Sequence, residues 1–470
     1  MKHHTPSLGP DTNSKASAQE TPQEEHPTDP RRENEGKPQP AVSARMPDGG
    51  LAELVYRPAE GRTAFCVYRD GAWREEPSVM VGGRRLVPYS PGNTLLQNQV
   101  VLFPSAPEEY ASEEALVAEI RAFIRRYVQV SPLFETIASY YVLLSWVYDG
   151  FNELPYLRLR GDAGSGKTRF LLVVGSICYK PIFTSGASTV SPLFRILDAI
   201  QGTLIVDEAD FRFSDERAEV VKILNNGNGR GMPVLRSEIS RTREVSPQAF
   251  QVFGPKLIAT RGFFDDHALE SRCLTEEMGQ QTKVREDIPL SLPAAARDEA
   301  LRLRNQLLVF RFRNLHRCAA DLGEVDRTIA PRLAQVFAPL LAVVEDQQAR
   351  AELQALARQY HREFLLERGM RPEAQVLEVV HDLVQASPNG NVPLKEVVSW
   401  FVDRYGEEYD RKVTSRWIGR VLRQLGVHTR KSHGVYVISL EERPVLERLF
   451  QRYGVEDQGS KPSAEQIDQS

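Results

Sequence analysis

One stretch constrains this chain more than any other. Tyr156-Leu157-Arg158-Leu159-Arg160 reads as a strand, Gly161-Asp162-Ala163-Gly164-Ser165-Gly166-Lys167-Thr168 follows at once, and an apolar helical pattern begins at Phe170. The loop has the form GxxxxGK[ST] in its strand-loop-helix setting. Its glycines let backbone N–H groups curl around phosphate oxygens, and the helix N-terminus adds partial positive charge. Lys167 supplies a cation for the β- and γ-phosphates, and the Thr168 hydroxyl is suited to hold Mg²⁺. ATP with Mg²⁺ is the expected ligand, and a parallel α/β sheet is the expected frame.

Such a loop predicts a downstream strand that ends in a carboxylate. Thr203-Leu204-Ile205-Val206-Asp207-Glu208 has that form. Burial of its apolar residues places Asp207 at the C-terminal end, to orient the waters of Mg²⁺, with Glu208 next to it to polarise an attacking water. Two acids favour hydrolysis over simple nucleotide binding. The letters Asp207-Glu208-Ala209-Asp210 spell DEAD, yet only one such core fits before the long helices, and the second lobe of DEAD-box RNA helicases is missing. A third strand, Lys256-Leu257-Ile258-Ala259-Thr260, ends in a polar residue suited to sense the γ-phosphate.

Around this core the composition shifts. Residues 1–48 are rich in Pro, Glu, Gln and Ser, so an irregular arm is expected there. Residues 49–105 alternate short apolar runs with turns and predict a small β-rich module, and 106–150 predict a helical linker. The α/β core is assigned to 151–292, a helical lid to 293–371, a compact C-terminal segment to 372–454 and a loose tail to 455–470. No apolar run is long enough to span a membrane, and Met1-Lys2-His3-His4 opens no secretion signal, so a cytoplasmic location is expected. Cys66, Cys178, Cys273 and Cys318 stand far apart, which predicts buried thiols rather than disulfides or a zinc site. His316, His361 and His381 lack partners at ligand spacing, so packing is the expected role.

The loop, the acid pair, the polar strand end and Leu269-Glu270-Ser271-Arg272 together resemble the AAA+ ATPases, in particular the branch with superfamily 3 and MCM-type helicases. The core also resembles replication-type ATPases of phages, plasmids and integrated elements. The resemblance implies a three-layer P-loop core with an α-helical lid, working as a homo-oligomeric ring, a hexamer by analogy. It puts Thr260 at sensor 1, Arg272 at an arginine finger that acts on the neighbouring subunit, and Arg332 at sensor 2 beside the nucleotide. A structural ion pair is the competing role for each arginine.

The resemblance also bears on the insert at 225–253. There Lys222, Arg230, Arg236, Arg241, Arg243, Lys256 and Arg261 face only Glu238 and Glu244. In the helicases of this branch a hairpin before sensor 1 grips DNA in the pore, which would give Arg236, Arg241 and Arg243 to phosphates; a solvated hairpin or subunit contact is the alternative. The net charge of -4 conceals a basic C-terminal segment. Its order of helix, helix and hairpin resembles a winged helix. Val413, Trp417, Val421, Leu422 and Leu425 are then core residues, with Ser415, Arg416, Arg420 and Arg423 on the second helix and Arg430 and Lys431 in the wing available to DNA. Winged helices also serve as protein contacts. The resulting expectation is an ATP-dependent DNA helicase or translocase. A non-unwinding DNA-binding switch and a signalling or defence ATPase are the alternatives.

Overall fold

The computed structural model describes residues 37–185, 190–207, 215–239, 245–264, 266–279, 285–320, 326, 328–369, 372–406, 409, 413–432 and 434–455. Seven short strands come first: β1 (Gln39–Ala41), β2 (Ser43–Arg45), β3 (Leu51–Arg57), β4 (Arg62–Arg69), β5 (Ala72–Glu76), β6 (Val79–Val81) and β7 (Arg84–Pro88). They make one antiparallel sheet in the order β2-β3-β4-β5 and a mixed one in the order β1-β7-β6, with β1 parallel to β7. The irregular arm expected up to residue 48 is therefore corrected over 39–45. Val42 and Met46 are buried, and Ser43 pairs with Glu53, so two apolar anchors in a polar stretch are enough to dock it.

After α1 (Thr94–Gln97) come α2 (Glu113–Tyr127) and α3 (Pro132–Val147). Each is started by a serine: Ser112 Oγ accepts from the amide of Ala115, and Ser131 Oγ accepts from that of Phe134. α2 is amphipathic, with Leu116, Ile120, Phe123, Ile124 and Tyr127 on its buried face. α3 is buried on every side from Phe134 to Val147: most of its residues are apolar, and the buried Glu135 is paired with Arg121 and Arg125. The segment expected as a helical linker, 106–150, thus supplies two helices, and α3 belongs to the main core.

The central sheet has five parallel strands. In chain order these are β8 (Tyr156–Arg160), β9 (Ile182–Ser185), β10 (Leu204–Asp207), β13 (Lys256–Thr260) and β14 (Cys273–Glu277), and β11 (Val234–Ile239) and β12 (Val245–Phe250) form an antiparallel pair between β10 and β13. Spatially the order is β14-β8-β13-β10-β9. α4 (Lys167–Gly175), α5 (Val190–Ile200), α6 (Asp215–Asn226) and α7 (His267–Glu270) are the intervening helices. The fold is mixed α/β with a parallel sheet and helices, and the strand that carries the phosphate loop is separated from the acid strand by β13.

Next follow α8 (Ala295–Ala320), α9 (Pro331–Leu341) and α10 (Gln347–Gly369). α8 lies along α3 and shares its apolar cluster through Leu303, Leu307, Phe310 and Leu315. The first helix of the expected lid is therefore part of the main core. The C-terminal segment has its own core and contains α11 (Pro372–Ala386), β15 (Val392–Pro393), α12 (Leu394–Tyr405), α13 (Ser415–Gln424), β16 (Thr429–Ser432), β17 (Val435–Ile438) and α14 (Arg443–Tyr453). Val421 and Leu422 are buried there, while Val413, Trp417 and Leu425 are partly buried against them. α14 extends beyond the strand-turn-strand pattern and returns onto α11, with Leu446 and Phe450 buried.

One buried ionic network joins the N-terminal sheet to this core. Arg311 of α8 donates to Glu53 Oε1 at 2.7 Å, to the Trp146 carbonyl at 2.6 Å and to both Asp149 oxygens at 2.7 and 2.8 Å. The Tyr179 hydroxyl also donates to Glu53. Burial alone would raise Asp149, but the Arg311 guanidinium, assisted by Arg45, holds it well below the usual carboxylate range. Removing one partner from a buried ion pair leaves the others uncompensated, at a cost of about 3–5 kcal/mol. Arg311→Leu is accordingly expected to lower the urea midpoint by that free energy, whereas Arg313→Leu, at a part-exposed ion pair with Glu109, should cost under about 1 kcal/mol.

Candidate nucleotide site

The parallel sheet directs all five strand C-termini to one edge, and the candidate site forms there. Gly161 follows β8 directly and donates its amide to the Thr260 carbonyl at 3.2 Å. A Cβ on Gly161 would stand 2.5 Å from the Met278 carbonyl, so the turn passes too close to the end of β14 for any side chain. Gly166, at φ 95°, caps α4, which begins at Lys167. The loop amides and the helix N-terminus thus meet at the mouth of a cavity of about 280 Å³, lined by Ala163, Gly164, Gly166, Lys167, Thr168, Asp207 and Arg261.

Lys167 folds back over its own loop, and Nζ donates to the carbonyls of Gly161 and Asp162 at 2.6 and 2.7 Å and to Ser165 Oγ at 3.4 Å. The Thr168 hydroxyl donates to Asp207 Oδ2 at 2.7 Å. A hydroxyl and a carboxylate brought together at the loop are hard oxygen donors of the kind Mg²⁺ takes. Thr260 is buried at the end of β13, and its Oγ1 has no hydrogen-bond partner among the described residues. Glu208 lies outside the described residues.

Neither of the two further arginines reaches this cavity. Arg272 precedes β14, whose first residue is level with Tyr156 at the opposite end of the sheet. Its Nη1 donates to the Asn225 carbonyl at 3.0 Å and to Asn225 Oδ1 at 2.7 Å. Burial, with the nearby Arg332 charge, lowers its pKa. Arg332, expected beside the nucleotide, instead donates to the Ala268 carbonyl at 3.1 Å. α9 begins at the edge where Arg272 lies, away from the loop.

The cations of the insert are also dispersed. Arg236, expected to face DNA, is half-buried with its guanidinium 4.1 Å from the centroid of the Phe194 ring. Lys256 is fully buried and cannot offer charge to solvent. Its Nζ donates to the carbonyls of Gly227, Val252 and Gly254 at 3.1, 3.0 and 2.9 Å, which fastens both ends of the hairpin insert to the start of β13. Arg241 and Arg243 lie outside the described residues. In the C-terminal segment Thr414 Oγ1 caps α13 by accepting from Trp417 N at 3.3 Å, and Ser415 is half-buried at its first turn. Arg416, Arg420, Arg423, Arg430 and Lys431 are exposed, and Arg430 lies 3.5 Å from Glu441.

Sequence reasoning missed Arg261 as a wall of the cavity, although its place directly after the polar strand end was a usable signal. It also missed Lys256 as a clasp and Asn225 as the partner of Arg272, contacts that carry no local pattern. The four cysteines are buried free thiols, and burial pushes Cys66, Cys178 and Cys273 up to about 12. His316 contacts the Gly49 carbonyl, His361 accepts from Ala330 N, and His381 packs on Phe450.

The glycine loop, the acid strand end and the intervening strand together define a mixed α/β chain with a parallel sheet, with a GxxxxGK[ST] loop at the C-terminal edge of that sheet. No family model and no curated protein sequence matches this chain. Among solved structures it is similar to SCCmec type IV Cch, an active helicase, at 12% identity and TM-score 0.42, over 87% of this chain and 81% of that one. It is also similar to the apo C-terminal region of NrS-1, at 13% identity and TM-score 0.36, over 82% and 96% of the two chains. A third is the Aeropyrum pernix Orc1 protein in complex with DNA, at 14% identity and TM-score 0.18, over 75% and 96%. No helix among the described residues is long and apolar enough to cross a membrane.

The Lys256 clasp has a pH signature. Burial lowers its pKa from 10.5 to about 7, so between those values the unfolded chain binds the proton that the folded chain releases. Stability should therefore rise with pH across that window. Lys256→Met is expected to lose about 1–3 kcal/mol at pH 7, since three carbonyls lose their donor, and to flatten the rise, as read from urea denaturation at several pH values.

Proposed function

We propose that this chain is an AAA+ ATPase that couples ATP hydrolysis to movement on DNA, as a helicase or translocase acting in replication of a mobile element. The observation that carries the reading is the Thr168 to Asp207 hydrogen bond at the mouth of the loop cavity. It joins the helix after the loop to the acid strand two places away in the sheet. On binding, Lys167 exchanges the Gly161 and Asp162 carbonyls for the β- and γ-phosphate oxygens, and the loop amides take the remaining phosphate contacts. Thr168 and Asp207 would hold Mg²⁺, which supplies charge neutralisation between the β- and γ-phosphates. Glu208 orients the attacking water and Thr260 senses the terminal phosphate.

β13 gives this chemistry a mechanical outlet. Thr260 at one end touches the loop, and Lys256 at the other clasps the hairpin, so a shift at the phosphate edge is carried along a five-residue strand to the hairpin base. In a homo-oligomeric ring, a hexamer by the same reading, Arg272 of one copy is released from Asn225 to complete the pocket of the next. α9 and α10 serve as the lid. The C-terminal segment acts as a winged helix that places α13 against duplex DNA, with Arg241 and Arg243 of the insert for the phosphates of a single strand.

Forked-duplex unwinding, run beside ATP binding and turnover, tests the reading. Lys167→Ala should lose nucleotide affinity, while Glu208→Gln should bind ATP with turnover reduced by roughly 10²-fold or more. Unwinding should vanish in both. A wild-type sample that takes up no nucleotide with Mg²⁺ present sinks the proposal. Replacing Arg416, Arg420 and Arg423 together with Ala should weaken duplex binding and reduce the slope of log affinity against log salt by about 3.

A further inference from the structure

The cavity at the loop has a wall that no part of the mechanism above uses. Lys167 enters it from the helix side, and Arg261 lines it from the end of β13. β13 lies between β8, which carries the loop, and β10, which carries Asp207. The residue directly after β13 therefore overhangs the gap between loop and acid. That gap is where a third phosphate must lie once the first two are held by the loop amides and α4. The charges agree: among the described lining residues Lys167 and Arg261 face Asp207, two cations against one carboxylate, in a cavity read as taking a polyanion.

From this placement we infer that Arg261 contacts the terminal phosphate of the nucleotide bound to its own subunit and gives the site its preference for triphosphate over diphosphate. A guanidinium offers the planar, forked donor set that matches phosphate oxygens. Arg272 of the same chain cannot substitute, because it precedes β14 at the opposite end of the sheet and is bonded to Asn225. The inference rests on the nucleotide reading of the cavity. A charge-assisted contact made only to the third phosphate affects ATP and leaves ADP alone.

The test compares binding of a fluorescent non-hydrolysable ATP analogue and of fluorescent ADP, with Mg²⁺, by the full chain. Arg261→Ala should weaken the ATP analogue roughly tenfold or more while ADP changes by less than about twofold, and Arg261→Lys should recover part of the loss. An unchanged ratio of the two affinities, or an equal loss of both, overturns the assignment while leaving the nucleotide reading intact. Wild-type protein that binds neither nucleotide overturns both. Mixing separates a cis from a trans role. Lys167→Ala subunits carry an intact Arg261, and adding them to Arg261→Ala subunits should restore no turnover. Restored turnover would show that Arg261 acts across a subunit boundary and would overturn the cis assignment.

Discussion

A parallel sheet forces its strand C-termini onto one edge, and in this protein that constraint gathers groups from three parts of the chain. The loop at 161–168, Asp207, and Thr260 with Arg261 are separated by roughly forty to fifty residues each, yet three adjacent strands set them side by side. The hydrogen bond from Thr168 to Asp207 and the backbone bond from Gly161 to Thr260 are the visible joints of that arrangement. Because the sheet is buried on both faces, polar chemistry can appear only where strands end. The apolar strands thus select the site as much as the polar residues do.

Two buried cations hold the frame by different means. Arg311 is neutralised by Glu53 and Asp149 and ties the N-terminal sheet, α3 and α8 into one body. Lys256 donates to three carbonyl oxygens and lies over the Tyr156 ring, and burial draws its pKa down to about 7. The first is stable because charge meets charge; the second is poised because it does not. That difference puts a charge-neutralised joint between the N-terminal sheet, α3 and α8, and a softer clasp at the base of the hairpin.

Much of the core was legible beforehand because its signals are local. Strand, glycine loop and helix succeed one another within about twenty residues, and the acid strand shows its apolar run and carboxylate together. Elsewhere the local signal misled. Counting charges over the insert treated Arg236 as available to DNA and took Lys256 into the local excess of positive charge, whereas one lies on Phe194 and the other is buried under three carbonyls. A net charge says nothing about which way a side chain turns. The central place of α3 was hidden for a related reason: its sequence shows a helix, and only the elements packed around it put it at the middle of the main core.

The amino-acid sequence by itself determined that a phosphate-binding loop exists, which carboxylate strand accompanies it and that the C-terminal segment is basic, because each is written in contiguous residues whose chemistry does not depend on distant partners. The tertiary structure alone decided that Arg261 lines the cavity, that Arg332 sits with Ala268 and that Arg272 is held by Asn225. A guanidinium at the end of a long flexible side chain bonds whatever oxygen the packed fold brings near it, and that oxygen comes from a segment far away in sequence.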